Sequence, residues 1–259
     1  MRVVAIIQAR MGSTRLPGKV LEDLGGRTML SRVVRRTRRS TALGEVVVAT
    51  STSVQDDPIV AECRRLGVEC FRGSEADVLD RYFGAAEAYR AETVVRVTSD
   101  CPLIDWGVID RVVGAFQQRQ PDYASNTLVR TYPRGLDTEV MTLEALARAW
   151  CEAREPYQRV HVTPYLYQHP ELFRLLPVTG EQDASEGRWT VDTPEDLEFV
   201  RAVYERFGET DRFSWRDAWT LVAREPELAK INARVEHKRL EDESLRLPAP
   251  QEARQRLAG

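Results

Sequence analysis

Val3-Val4-Ala5-Ile6-Ile7-Gln8-Ala9-Arg10-Met11-Gly12-Ser13-Thr14-Arg15-Leu16-Pro17-Gly18-Lys19 is the stretch from which the rest of the chain is read. Its first six residues are mostly β-branched and apolar, without alternation. That is the pattern of a strand buried on both faces, so a central parallel strand is expected here. Beyond the loop, Thr28 can cap a helix over 29–39, and 45–49 reads as a second strand. Asp56-Asp57-Pro58 opens a helix that Gly67 ends, and 68–71 follows as a third strand. Residues 78–89 have helical spacing, 93–97 are a fourth strand, and a helix starts at Asp105 or Trp106 and runs to about Arg119. This alternation predicts an α/β fold in three layers, with a mostly parallel central sheet and helices on both faces.

From Tyr123 the alternation loosens. Strands are expected over 123–127, 139–142, 173–178 and 188–191, and helices over 143–153, 160–168 and 194–207, the last begun by Asp192-Thr193-Pro194. Two more helices are expected over 215–224 and 226–231, and the charged stretch beyond Glu241 reads as a frayed tail.

The chain has 259 residues, 42% of them hydrophobic and 30% charged, with mean hydropathy −0.41. These values exclude a disordered low-hydrophobicity chain and a bilayer-spanning one, and no signal peptide or anchor is visible. The four cysteines have no Cys-x-x-Cys spacing and the three histidines no His-Glu-x-x-His arrangement, which speaks against structural zinc and a disulfide framework. A reducing, cytoplasmic setting is expected. Net charge is −3, which argues against a general nucleic-acid binder. Residues 1–41 nonetheless hold ten basic side chains against two acidic ones. Arg35, Arg36, Arg38 and Arg39 read as the solvated face of a helix; Arg10, Arg15 and Lys19 sit in the loop after the first strand.

Ligands of open α/β sheets bind at the carboxyl ends of the strands, so the residues after each strand carry the chemistry. After the first come three cations, two glycines and two hydroxyls, a set that suits a polyphosphate. The loop is not a Walker A motif: five residues separate Gly12 from Gly18, and Val20 follows Lys19. The dinucleotide Gly-x-Gly-x-x-Gly fingerprint is missing too. After the fourth strand comes Thr98-Ser99-Asp100-Cys101-Pro102, and Asp192 supplies a second carboxylate. Two hard oxygen donors suit Mg²⁺ when phosphates fill its other positions, although Asp192 also fits a plain helix cap.

The loop motif from Ile7 to Leu21, the segment Arg96-Val97-Thr98-Ser99-Asp100-Cys101-Pro102-Leu103-Ile104-Asp105 and the segment Thr190-Val191-Asp192-Thr193-Pro194-Glu195-Asp196-Leu197 resemble the ordered motifs of the sugar-acid cytidylyltransferases. That family includes the acylneuraminate and 3-deoxy-manno-octulosonate enzymes. The similarity is greatest to its spore-coat polysaccharide branch, through Arg134-Gly135-Leu136-Asp137-Thr138-Glu139-Val140 and His161-Val162-Thr163-Pro164-Tyr165. Two positions depart: the octulosonate enzymes typically carry Pro where Gln8 stands, and Val160 stands where the spore-coat branch would have an acidic residue.

The resemblance implies a Rossmann-like, GT-A-like nucleotidyltransferase fold, CTP as co-substrate, Mg²⁺ as metal, and transfer of CMP to an acidic sugar with release of pyrophosphate. It implies a nucleotidyltransferase domain over 1–207, divided into a nucleotide-binding half (1–122) and an acceptor-binding, sheet-completing half (123–207), with a helical extension over 208–259. Carried over by position, Arg10, Arg15 and Lys19 are the catalytic cations on the CTP phosphates. Ala9, Gly12, Ser13, Thr50, Ser51, Gly73, Ser74, Thr98 and Ser99 complete the nucleotide site, and Asp100 and Asp192 hold Mg²⁺. Arg134, Asp137, Glu139 and His161 are acceptor-binding candidates; His161 can equally be a hydrogen-bonded core histidine. The partners are small molecules, with no nucleic acid or membrane, and the Trp215 to Trp219 region could furnish a homodimer face. Two other readings stay open: a nucleotidyltransferase using another nucleotide or a phosphonate acceptor, and a non-catalytic nucleotide-binding subunit.

Overall fold

The computed structural model describes residues 1–208 and 210–236. Its seven strands are β1 (Val3–Gln8), β2 (Glu45–Ser51), β3 (Glu69–Gly73), β4 (Thr93–Thr98), β5 (Tyr123–Ser125), β6 (Glu139–Thr142) and β7 (Leu175–Pro177), arranged β3-β2-β1-β4-β6-β5-β7. The first four are mutually parallel, β6 runs antiparallel to β4 and β5, and β7 is parallel to β5. Gln8, at the end of β1, pairs with Ala49 on one side and Thr98 on the other. The loops after β1, β2 and β4 therefore leave from one edge of the sheet.

The helices are α1 (Met29–Thr37), α2 (Asp57–Leu66), α3 (Val78–Ala88), α4 (Trp106–Arg119), α5 (Leu143–Glu152), α6 (Pro156–His161), α7 (Pro164–Gln168), α8 (Pro194–Arg206), α9 (Trp215–Arg224) and α10 (Pro226–Ile231). The unalternating apolar run of β1 works as expected. Ala5 and Ile7 enter a core with Leu30, Val33, Val112 and Val200, whereas Val4 and Ile6 enter a second core with Leu79, Tyr82 and Leu146. These two cores make the three layers, a mostly parallel Rossmann-like sheet with helices on both faces. No described helix is long and apolar enough to cross a membrane.

Three local expectations are corrected. The helix expected over 160–168 is broken into α6 and α7, because Pro164 cannot continue a preceding turn. Between them Val162 takes φ +73° and ψ −56°, and the Thr163 amide donates to the His161 carbonyl at 2.9 Å, a γ-turn. Residues 188–191 form no strand: the Trp189 amide bonds the Arg134 carbonyl and the Val191 amide bonds that of Asp100, so no one neighbour receives a continuous ladder. The third concerns α1, where Arg35, Arg38 and Arg39 are exposed but Arg36 is wholly buried, donating to the carbonyls of Ile104 and Phe213.

Trp215 and Trp219 are half-buried against their own chain, in edge contact with Tyr132 and tilted on Trp189. The tail expected beyond Glu241 lies outside the described residues.

Candidate active site

The loop after β1 is built around one peptide group. The Met11 carbonyl accepts from the amides of Ser13 and Gly18, both at 2.9 Å, and the Met11 amide donates to Asp56 at 2.7 Å. Gly18 takes φ +74°, which lets the chain turn into the short 3₁₀ segment where Lys19 stands. Asp56 is the residue the sequence reading missed: it does not cap α2 with its side chain. Instead it also accepts from the Thr50 hydroxyl and from the amide and hydroxyl of Ser51, tying the end of β2 to the loop. Burial works against this carboxylate's charge, but the Met11 and Ser51 donors override it and hold its pKa below the ordinary range.

Lys19 is buried, and its Nζ lies 3.1 Å from Asp100 Oδ2, 3.0 Å from Asp192 Oδ1 and 2.6 Å from the Val191 carbonyl. Burial disfavours the ammonium, yet the two carboxylates outweigh it and raise its pKa. Burial likewise pushes Asp100 upward, while Lys19 and the Thr98 hydroxyl draw it down to about 2. Asp192 Oδ2 receives Arg15 and Arg188, each at 3.1 Å. The cap of α8 is Thr193, not Asp192. The Asp192 and Thr193 amides are fastened by fully buried Asp196, which also holds Arg188 at 2.8 Å.

What lets the 188–192 segment approach is Gly135. At φ +104°, a Cβ there would stand 2.6 Å from the Trp189 carbonyl carbon. Among the described residues no group of three or more metal-type side chains gathers. A divalent ion would thus rely on Asp100 and Asp192 plus ligand oxygens. That donor set fits Mg²⁺, which commonly takes one or two carboxylates and substrate phosphates.

These residues open onto a cavity of about 240 Å³. Of the anticipated residues, Ala9, Arg10, Ser13, Arg15, Lys19, Thr98, Ser99, Asp100, His161 and Asp192 line it. Gly12 stands outside the lining, as do Thr50 and Ser51, which are engaged by Asp56. Gly73 and Ser74 also stand outside; a Cβ on Gly73 would meet Arg81 Cγ at 3.0 Å, and the Ser74 carbonyl accepts from Arg81 at 3.2 Å. Asp137 is held bidentately by Arg130 at 2.7 and 2.9 Å, and Arg134 is half-buried beside the Trp189 segment. Glu139 is buried, paired with Arg96 and accepting the Tyr123 hydroxyl. Its partner Arg96 does line the cavity, and so do Gln8, Val78, Arg81 and Val160. Nothing in their own sequence spacing marked Arg81 and Arg96, since one lies inside a helix and the other inside a strand.

Comparison with known proteins shows the family. The sequence model of the cytidylyltransferases matches residues 4–214. The chain is 37% identical over 234 residues to the spore coat polysaccharide biosynthesis protein SpsF of Bacillus subtilis, covering 88% of this chain and 96% of that one. It is 31% identical to a 3-deoxy-manno-octulosonate cytidylyltransferase of Anaeromyxobacter dehalogenans, covering 78% of this chain and 97% of the relative. A solved cytidylyltransferase of Leptospira borgpetersenii superposes with TM-score 0.86 at 36% identity, covering 92% of this chain and all of that one. The cation-bearing loop of β1, facing the carboxylates of two other segments, thus sits in a chain that belongs to the cytidylyltransferase family and is a CTP-dependent nucleotidyltransferase.

Proposed function

We propose that this enzyme transfers CMP from CTP to an acidic sugar, releases pyrophosphate, uses Mg²⁺, and so supplies an activated sugar for polysaccharide assembly. The observation that carries the reading is the convergence of Arg10, Arg15 and Lys19 with Asp100 and Asp192 on one cavity. The acceptor hydroxyl oxygen bonds the α-phosphorus while the bond from that phosphorus to the α–β bridging oxygen breaks, and the hydroxyl proton passes to solvent. No covalent enzyme intermediate is needed, so the protein's task is positioning and charge neutralisation.

Lys19 and Arg15 offset the charge that grows on pyrophosphate, and Arg10, exposed at the loop, reaches the incoming polyphosphate. Ala9, Ser13, Thr98 and Ser99 frame the nucleotide, and Thr50 and Ser51 act through Asp56 by fixing the loop. Asp100 and Asp192 would hold Mg²⁺. When bound, the ion supplies charge neutralisation at the phosphates. His161, brought by the second half of the chain, faces the acceptor; Glu139 serves the acceptor side by holding Arg96 in place.

The test is pyrophosphate release across the four ribonucleotides with a panel of sugar acids. The expected result is turnover with CTP and at least one sugar acid. Turnover with a purine nucleotide in preference, or with neutral sugars alone, overturns it.

A further inference from the structure

Arg81 projects from α3 and is 1% exposed, yet it lines the cavity. Its hydrogen bonds are few for a buried guanidinium: one nitrogen donates to the Ser74 carbonyl at 3.2 Å, and Nε has no partner among the described residues. Among the described residues no carboxylate forms an ion pair with it, in contrast with Arg96, which has Glu139 and the Gln8 side chain. Arg96 Nε is also buried without a partner. A buried guanidinium without an ion pair, beside a second whose Nε is unanswered, is expensive unless an anion completes it.

Burial depresses the Arg81 pKa and Arg10 nearby adds like-charge repulsion, which the attraction of Tyr82, Asp56 and Glu75 does not overcome. A neutral base would satisfy the N–H groups and leave the charge. The phosphates already have Arg10, Arg15 and Lys19 on the loop. Val78, Val160 and His161 line the same cavity, giving the apolar and hydrogen-bonding surroundings a sugar acid requires.

We propose that Arg81, assisted by Arg96, is a specificity-determining anion site that receives the carboxylate of the acceptor. The inference rests on the acidic-sugar reading above and deepens it. Gly73 and Ser74 acquire a role through it, since the bare Gly73 α-carbon and the Ser74 carbonyl set where the guanidinium lies. No bond is made or broken by Arg81; it orients the acceptor so that its hydroxyl meets the α-phosphorus.

The full chain is assayed with CTP, Mg²⁺ and either 3-deoxy-manno-octulosonate or N-acetylneuraminate, with the neuraminate methyl ester as an uncharged probe. Arg81→Gln should raise KM for whichever acid wild type accepts by roughly 10- to 100-fold. The Kd for CTP by calorimetry should stay within about twofold. Wild type should prefer acid to ester, and the variant should lose that preference; Arg81→Lys should recover part of it. Arg81→Met should not lower the melting temperature, because removing a buried charge that has no ion pair relieves the fold. An equal weakening of CTP binding assigns Arg81 to the nucleotide and overturns the inference. So does an unchanged sugar KM, with or without a loss of several degrees in melting. If wild type turns over no acid while still binding CTP, the acidic-sugar reading itself fails, a result readable before any variant is made.

Discussion

Replacing Asp56 by Asn keeps the side chain's shape and exchanges one carboxylate oxygen for an amide nitrogen. In the native protein one oxygen accepts the Met11 amide, and the other accepts the Ser51 amide and the hydroxyls of Ser51 and Thr50. The hydroxyls can rotate to accept from the new side-chain amide, but a main-chain N–H cannot. Either orientation of the substituted side chain therefore leaves one main-chain amide, that of Met11 or of Ser51, facing another donor. A hydrogen bond to a charged group contributes about 1.5–3 kcal/mol, and an unanswered buried donor adds to its loss, so about 2–4 kcal/mol is expected. For a domain of this size each kcal/mol lowers the melting midpoint by about 2–4 °C, giving roughly 4–16 °C. Because the Met11 carbonyl closes the loop that carries Arg15 and Lys19, CTP affinity should fall as well, by about tenfold. The sign with pH follows from the depressed carboxyl. Its contribution is full above the ordinary value of 3.8 and disappears as pH falls through the folded one. Scanning calorimetry of wild type and Asp56→Asn should thus show a gap that is widest at neutral pH and closes in acid. A variant melting within about one degree of wild type at neutral pH, or a gap that persists in strong acid, would refute the reasoning.

Arg15→Ala and Lys19→Ala should each lose about 10²- to 10³-fold in turnover, measured as pyrophosphate release. Their melting should differ: Arg15 is partly exposed, whereas removing buried Lys19 leaves Asp100 without its cation, so only Lys19→Ala should melt early. If Asp100 and Asp192 act as one unit, the double Asn variant should be little slower than the worse single one; additive losses in the same assay would count against it. Calorimetry should find Mg²⁺ binding weakly without nucleotide, because Lys19 already occupies both carboxylates. Glu139→Gln strands buried Arg96 and should cost about 3–5 kcal/mol in denaturant unfolding. Gly135→Ala should drive the 188–192 segment off its seat, seen as loss of both stability and turnover.

The parallel half of the fold was legible because its signals are local. An unalternating strand at 3–8, Thr28 before α1 and Gly67 after α2 each declare themselves within a few residues, and Gly67 indeed takes the left-handed conformation. The 188–192 segment was not legible as drawn, since its geometry depends on Gly135 and on the Arg134 and Asp100 carbonyls, all remote in sequence. The same division runs through the site. Arg10, Arg15, Lys19 and Asp100 follow strand ends and Asp192 precedes the Pro194 start of α8, so all could be found by position, and the geometry brings them to one cavity. Asp56, Arg81 and Arg96 could not. One stands in the turn expected to open a helix, and the other two take part only because α3 and β4 turn their side chains toward a cavity formed by distant segments.

The γ-turn at Val162 gives His161 an unusual footing. A β-branched residue at positive φ is held against its own preference, at a cost on the order of 1–3 kcal/mol that the surrounding packing must cover. Val162 itself is fully buried in the core shared with Leu166 and Tyr165, which is what keeps the turn from relaxing. The ordering of this wall is therefore completed when the chain folds, and is not repeated each time a substrate arrives. Val162→Gly would unload the strain, but it would also remove the buried side chain that pins the turn, so the cavity would keep a less settled imidazole on its wall.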